Sequence, residues 1–143
     1  MDPLIGIWRL VEGKAWDDAG NSLPPPYGAC PMGQIVFTAE GRMLAALCNG
    51  DTDAGTDTGR GYSSYGGFYT LRGTTLTTDV DIASDTRRIG GQQVREAFLD
   101  GDRLLLRPPL RAYNGINQQR ELQWERIWRP SDDGDQGSTD RQK

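Results

Sequence analysis

The chain has no histidine, only two cysteines and no apolar run long enough to cross a bilayer as a helix. Each shortage excludes something. Without histidine there is no His-based triad, no imidazole general base, no proximal haem ligand and no His-bearing metal site. Cys30 and Cys48 allow one pairing at most. The start, Met1-Asp2-Pro3-Leu4-Ile5-Gly6, has neither a basic nor an apolar leader segment, so the expectation is reduced thiols in a cytoplasmic protein. Basic residues are in the minority, 16 against 20 acidic ones, giving a net charge of −4. The arginines are scattered among carboxylates, with no stripe for nucleic acid or an anionic membrane.

Glycine, at 19 residues, and proline, at 8, are plentiful, while apolar residues make up only 36% of the 143 positions. With no apolar helical periodicity, this composition describes one all-β domain of short strands and tight turns. Residues 7–16 alternate, placing Trp8, Leu10, Glu12, Lys14 and Trp16 on one face. Residues 22–32 carry three consecutive prolines and read as a long loop. Hairpins follow around Ala39-Glu40-Gly41, Arg72-Gly73 and Asp100-Gly101-Asp102, and a final strand runs over 120–129. From Pro130 onward no apolar anchor remains, so 1–129 is the expected domain and 130–143 a disordered tail.

The two ends match one another: Gly6-Ile7-Trp8-Arg9-Leu10 opens the chain and Leu122-Gln123-Trp124-Glu125-Arg126 closes it. In a closed antiparallel barrel the first and last strands become neighbours, and Trp8 then lies under the Arg126 guanidinium as a structural plug. Between the ends stand Phe37-Thr38-Ala39-Glu40-Gly41-Arg42-Met43, Tyr65-Gly66-Gly67-Phe68-Tyr69, Gln93-Val94-Arg95 and Leu99-Asp100-Gly101-Asp102-Arg103-Leu104. In this order and spacing the motifs resemble the small bacterial lipocalin-like domain family over most of residues 4–129. The resemblance implies an eight- to ten-stranded antiparallel up-and-down barrel with an internal cavity. It also implies one departure: relatives carry a histidine on the strand where this chain has Leu76-Thr77-Thr78-Asp79-Val80.

Several residues are candidates for chemistry inside such a barrel. Alternation puts Gln93 and Arg95 on one face, where a guanidinium fork and an amide suit a carboxylate, phenolate or enolate; a fixed internal ion pair with Glu12 or an aspartate is the alternative. Glu12, if inward, is a general acid or base with a desolvated carboxyl; if its strand bulges, it lies at the rim or in solvent. Tyr65 and Tyr69 flank Gly67 on one face and offer phenols to a carbonyl or enolate. Trp16 and Trp124 extend the aromatic wall. Asp79 and Asp81 belong to a solvent face. Asp51–Asp57 imitates a calcium loop but lacks its closing glutamate, so no metal is expected, and no glycine motif fits a nucleotide.

The expected mouth lies near Pro24–Met32 and Asn49–Gly61. The leading function is binding of a small, largely apolar, aromatic or polyketide-like molecule with one anionic or carbonyl group. Trp16, Tyr65, Tyr69 and Trp124 form its wall, and Arg95 with Gln93 its anchor. The alternative is a cofactor-free isomerase, cyclase or lyase of secondary metabolism, in which Glu12 moves a proton while Arg95 and Tyr65 stabilise an anion. A third reading is a filled core without a pocket. No cofactor, nucleic acid or membrane partner is implied, and a homodimer is compatible with the chain.

Overall fold

The computed structural model describes residues 2–51, 61–113 and 115–131. Within them the short alternating segments form ten strands. These are β1 (Gly6–Asp17), β2 (Ser22–Leu23), β3 (Pro31–Phe37), β4 (Arg42–Asn49), β5 (Ser63–Arg72), β6 (Thr75–Ala83), β7 (Gln92–Asp100), β8 (Arg103–Arg107), β9 (Arg111–Tyr113) and β10 (Ile116–Trp128). All pairings are antiparallel, in the order β2-β1-β3-β4-β5-β6-β7-β8-β10-β9, and β1 also pairs with β10. That last pairing closes β1, β3 to β8 and β10 into an eight-stranded barrel, with β2 and β9 added at its rim. The inward positions of these strands supply a single core, including Leu4, Ile35, Phe37, Met43 and Leu104.

One end of the barrel is shut by the chain's own N-terminus. The Arg126 guanidinium lies 4.3 Å from the centroid of the fully buried Trp8 ring. Its Nη1 donates to the Ile5 carbonyl at 2.8 Å, and Nη2 donates to those of Pro3 at 3.0 Å and Gly101 at 3.3 Å. Its Nε donates to Asp102 at 3.0 Å, and Arg129 pairs with the same carboxylate. The two guanidiniums, Arg129 first, hold the Asp102 carboxyl below the usual range. The indole of Trp8 donates to the Leu4 carbonyl at 2.9 Å. The Tyr69 hydroxyl donates to Asp2 at 2.6 Å, and Asp2 also accepts from the Leu4 N–H at 2.8 Å. Burial, then the Asp2 carboxylate, pushes the Tyr69 phenol well above its ordinary pKa. Residues 2–5 are thereby fastened under the barrel as a floor.

Three register shifts interrupt the ladders: one, between Ile7–Trp128 and Trp8–Arg126, leaves Ile127 extra at the plug, and two fall farther along the wall. In the β1–β10 ladder Leu10 opposes Trp124 but Glu12 opposes Gln123, so Val11 is an extra residue. Because strand side chains alternate with period two, one inserted residue moves every later side chain to the other face. Beyond Val11 the buried positions are therefore Gly13 and Ala15, and the expected inward placement of Glu12, Lys14 and Trp16 is reversed. In the β5–β6 ladder Gly66 opposes Ile82 and Gly67 opposes Val80, leaving Asp81 as the extra residue. Asp81 turns out to the surface, where it pairs with Arg42.

The structure adds elements that the prolines and glycines concealed. The segment 22–32, expected to be entirely loop, contributes Ser22–Leu23 to the rim beside Ala15 and Trp16, and Pro31 opens β3. Proline is tolerated there because the first residue of a strand need not donate to the ladder. The last strand starts earlier than 120, at Ile116, and folds back on β9. A single 3-10 turn, Thr86–Arg88, joins β6 to β7, its N-terminus capped by Asp85. Cys30 and Cys48 are free thiols. The tail from residue 132 and the calcium-like stretch over 52–60 lie outside the described residues.

Two substitutions test this framework. Trp8→Ala removes the ring beneath Arg126 and should cost about 3–5 kcal/mol in chemical denaturation. Melting unchanged from wild type would show that the plug does not hold the barrel shut. A Cβ on Gly67 would collide with the Asp79 backbone carbonyl across the β5–β6 register shift. Gly67→Ala should therefore cost about 1–3 kcal/mol, measured the same way, whereas Gly41→Ala, with open space around it, tests glycine replacement in a turn without such a collision.

Candidate functional site

A cavity of about 350 Å³ occupies the barrel interior away from the plug. This is within the range of small-molecule sites, roughly 300–1,000 Å³, so the interior is a container rather than a filled core. Its apolar wall comes from the inward positions of β3, β4, β8 and β10: Ile35, Leu47, Leu106, Leu122 and Trp124. Trp124 is almost fully buried, and its indole N–H has no hydrogen-bond partner among the described residues. Pro26 and Tyr27 bring the proline-rich loop to the rim, with Tyr27 in the left-handed region at φ 64°. That half of the expected mouth lies where the sequence placed it; much of the other half, 52–60, lies outside the described residues.

The polar side of the cavity is built on β7 and on the 3-10 turn before it. Gln93 and Arg95 are half-buried on the inward face of β7 and line the cavity. Only Glu96–Asp100 of β7 pairs with β8, because β8 ends at Arg107 and Pro108-Pro109 supplies no ladder donors. The first half of β7 is thus unpaired on that side. There the Val94 carbonyl accepts from Arg95 Nη1 at 2.9 Å instead of from a neighbouring strand. With its amide oxygen turned toward the guanidiniums, Gln93 accepts from Arg95 Nη2 at 2.5 Å and from Arg88 Nη2 at 2.7 Å. Arg95 is therefore held by an amide and a carbonyl, not by the internal ion pair that was the alternative.

Arg88 was not foreseen as part of this site. The 3-10 turn carries it over the cavity, its guanidinium 4.4 Å from the centroid of the Tyr65 ring and its Nη1 donating to Ser63 at 3.2 Å. The available signal was Asp85-Thr86, an N-cap pair that starts a helical turn and fixes the direction of the arginines after it. Tyr65 is buried in the wall, and its hydroxyl has no hydrogen bond among the described residues. Asp85, the one carboxylate lining the cavity among the described residues, is engaged by Arg87 at 2.9 Å. The Arg87 side chain and then its backbone N–H hold the Asp85 carboxyl below the usual range, so it is ionised at neutral pH.

Three of the residues expected here are elsewhere. Glu12 is exposed on the outer face, turned there by the extra Val11. Trp16 follows the same reversal and does not line the cavity. Tyr69 points inward but belongs to the plug, bound to Asp2 and edge-on to Phe37 at 5.0 Å. Tyr65, Gln93, Arg95 and Trp124 do converge on the one cavity. A second unforeseen group joins them from β9 and β10: Arg111, Tyr113 and Arg120. The period-two alternation of Arg120 with Leu122, Trp124 and Arg126 had carried the signal for the last of these.

Among curated proteins none matches the sequence. The crystal structure of the lipoprotein YedD from Klebsiella pneumoniae subsp. pneumoniae MGH 78578 is similar at a TM-score of 0.41 and 11% identity, over 97% of this chain and 84% of that one. The family model of the lipocalin-like domain matches residues 5–129, from the residue before the first strand to the residue after the last. The chain belongs to the lipocalin-like domain family.

Proposed function

We propose that this barrel binds a small, largely apolar molecule through an anionic or carbonyl group, with Arg95, Arg88 and Gln93 as the anchor and Trp124 with Tyr65 as the aromatic wall. The observation that carries the reading is a cavity with one apolar wall facing guanidiniums that have no carboxylate partner among the described residues. Neither Arg88 nor Arg95 forms an ion pair among the described residues. A guanidinium carries five N–H donors, and each of these two commits donors only to neutral oxygens. Membership of a family of lipocalin-like barrels supports small-molecule binding in general.

Binding is favoured over catalysis because, among the described residues, no unpaired carboxylate lines the cavity. Glu12, the candidate acid–base group, is outside the barrel. Asp85 is a carboxylate held by Arg87, and there is no histidine. Tyr65 and Arg95 remain able to polarise a bound carbonyl, which positions a ligand without moving its protons.

Anilinonaphthalene sulfonate, an aromatic anion whose emission rises in apolar surroundings, tests the reading directly. Wild type should bind it, and Arg95→Met should weaken binding by about 1.5–3 kcal/mol, a loss of tenfold or more. Glu12→Gln should leave affinity unchanged. Equal affinity of wild type and Arg95→Met, with the fold intact by circular dichroism, would remove Arg95 from the site. Native mass spectrometry of freshly purified full-length protein should in parallel reveal a co-purified acidic ligand.

A further inference from the structure

The cavity holds more positive charge than one anionic group requires. Besides Arg88 and Arg95 it is lined by Arg111 and Arg120, and none of the four forms an ion pair among the described residues. Other arginines of the barrel, Arg9, Arg42, Arg107 and Arg126, are each matched with an acid. Lys14, Arg72 and Arg103 also lack an ion pair among the described residues but lie outside the cavity lining, so four of the unmatched charges meet at one cavity in a chain whose overall charge is −4. Arg88, Arg95 and Arg120 are half-buried and Arg111 is exposed at the rim, and gathering like charges in one place is unfavourable unless something of opposite sign is brought to them. Asp85, paired with Arg87 and also within the field of Arg88, supplies one negative charge against these arginines.

The four guanidiniums form two groups on different elements. Arg88 and Arg95 share the Gln93 amide on β7 and the turn before it. Arg111 and Arg120 share the Tyr113 ring, with guanidinium carbons 4.7 Å and 3.6 Å from its centroid. Arg120 Nε donates to the Gln118 side chain at 3.3 Å, which leaves its terminal nitrogens without partners among the described residues. Between the groups in strand order lies β8, whose Leu106 is part of the apolar wall, as is Trp124 on β10.

Building on the binding reading above, we propose that the ligand is an amphiphilic dianion. One acidic group is received by Arg88, Gln93 and Arg95, the other by Arg111, Tyr113 and Arg120, and an apolar body between them lies on Leu106 and Trp124. Two acids on one molecule would place a negative charge at each group of guanidiniums, whereas a monoacid leaves one group with none. The stack on Tyr113 keeps Arg111 and Arg120 in place before the ligand arrives, which reduces the ordering that binding must impose.

The test is isothermal titration of full-length protein with the monocarboxylates from octanoate to dodecanoate and with the dicarboxylates of the same lengths. At least one dicarboxylate should bind about tenfold more tightly than its monocarboxylate, with a steeper loss of affinity on adding salt. Arg111→Gln and Arg120→Gln should each abolish most of that preference and leave monocarboxylate affinity within about twofold, while Arg120→Lys should restore part of it. Arg95→Met should weaken both classes. Monocarboxylates that bind through Arg95 with no dicarboxylate binding more tightly would overturn the second anchor and leave the binding reading standing. Failure of both classes to bind would overturn the two together. Equal weakening of both classes by Arg120→Gln would show that the Tyr113 stack only supports the wall.

Discussion

Closure of β1 on β10 is the constraint from which the rest of this molecule follows. An open ten-stranded sheet of this composition would leave two long edges and an unburied apolar face. Pairing the first strand with the last removes the main edges, and the Arg126 side chain secures that pairing by reaching five groups at once. It covers the Trp8 ring, accepts orientation from Asp102 and donates to the carbonyls of Pro3, Ile5 and Gly101. A guanidinium suits this place because its planar fork satisfies several carbonyls that would otherwise be unpaired near the barrel's end. With residues 2–5 drawn across the bottom and Tyr69 bound to Asp2, that end is full. The space that remains lies toward the other end, where the cavity is found.

The register shift at Val11 then bears on the chemistry of that space. Without Val11 as an extra residue, β1 would send Glu12 into the cavity beside the arginines; with it, Gly13 and Ala15 face inward, and the carboxylate is outside. Without Gly66 and Gly67, β5 could not approach β4 and β6 closely enough to seat Tyr65 under Arg88. The cavity is cationic because acidic groups were turned out of it as much as because arginines were turned in. Small changes in pleat phase have that effect, since each one transfers a whole run of side chains between faces.

Much of this was legible in the amino-acid order. The short alternating segments, the glycine turns and the matched Gly-x-Trp and Trp-x-Arg ends gave an antiparallel barrel, and the Trp8–Arg126 stack was readable as its plug. That Gln93 and Arg95 share one face followed from alternation, because their strand carries no extra residue between them. Glu12 and Trp16 were misread for the opposite reason: alternation has no mark for a bulge, and Val11 is as good a strand residue as any. Arg88, Arg111 and Arg120 were passed over because their neighbours in sequence are a helical turn, a three-residue strand and a strand whose beginning lay in a loop-like stretch.

The sequence by itself determined the fold class, the closed end and the absence of imidazole chemistry, since these rest on residue type and on a period of two. Tertiary structure alone decided the composition of the site. Four arginines from the β6–β7 connection, β7, β9 and β10 meet at one cavity only after the barrel closes. Which of the acids join them depends on register between strands distant in sequence. Local residue preferences carry no information about that register, because it is fixed by burying whole faces at once.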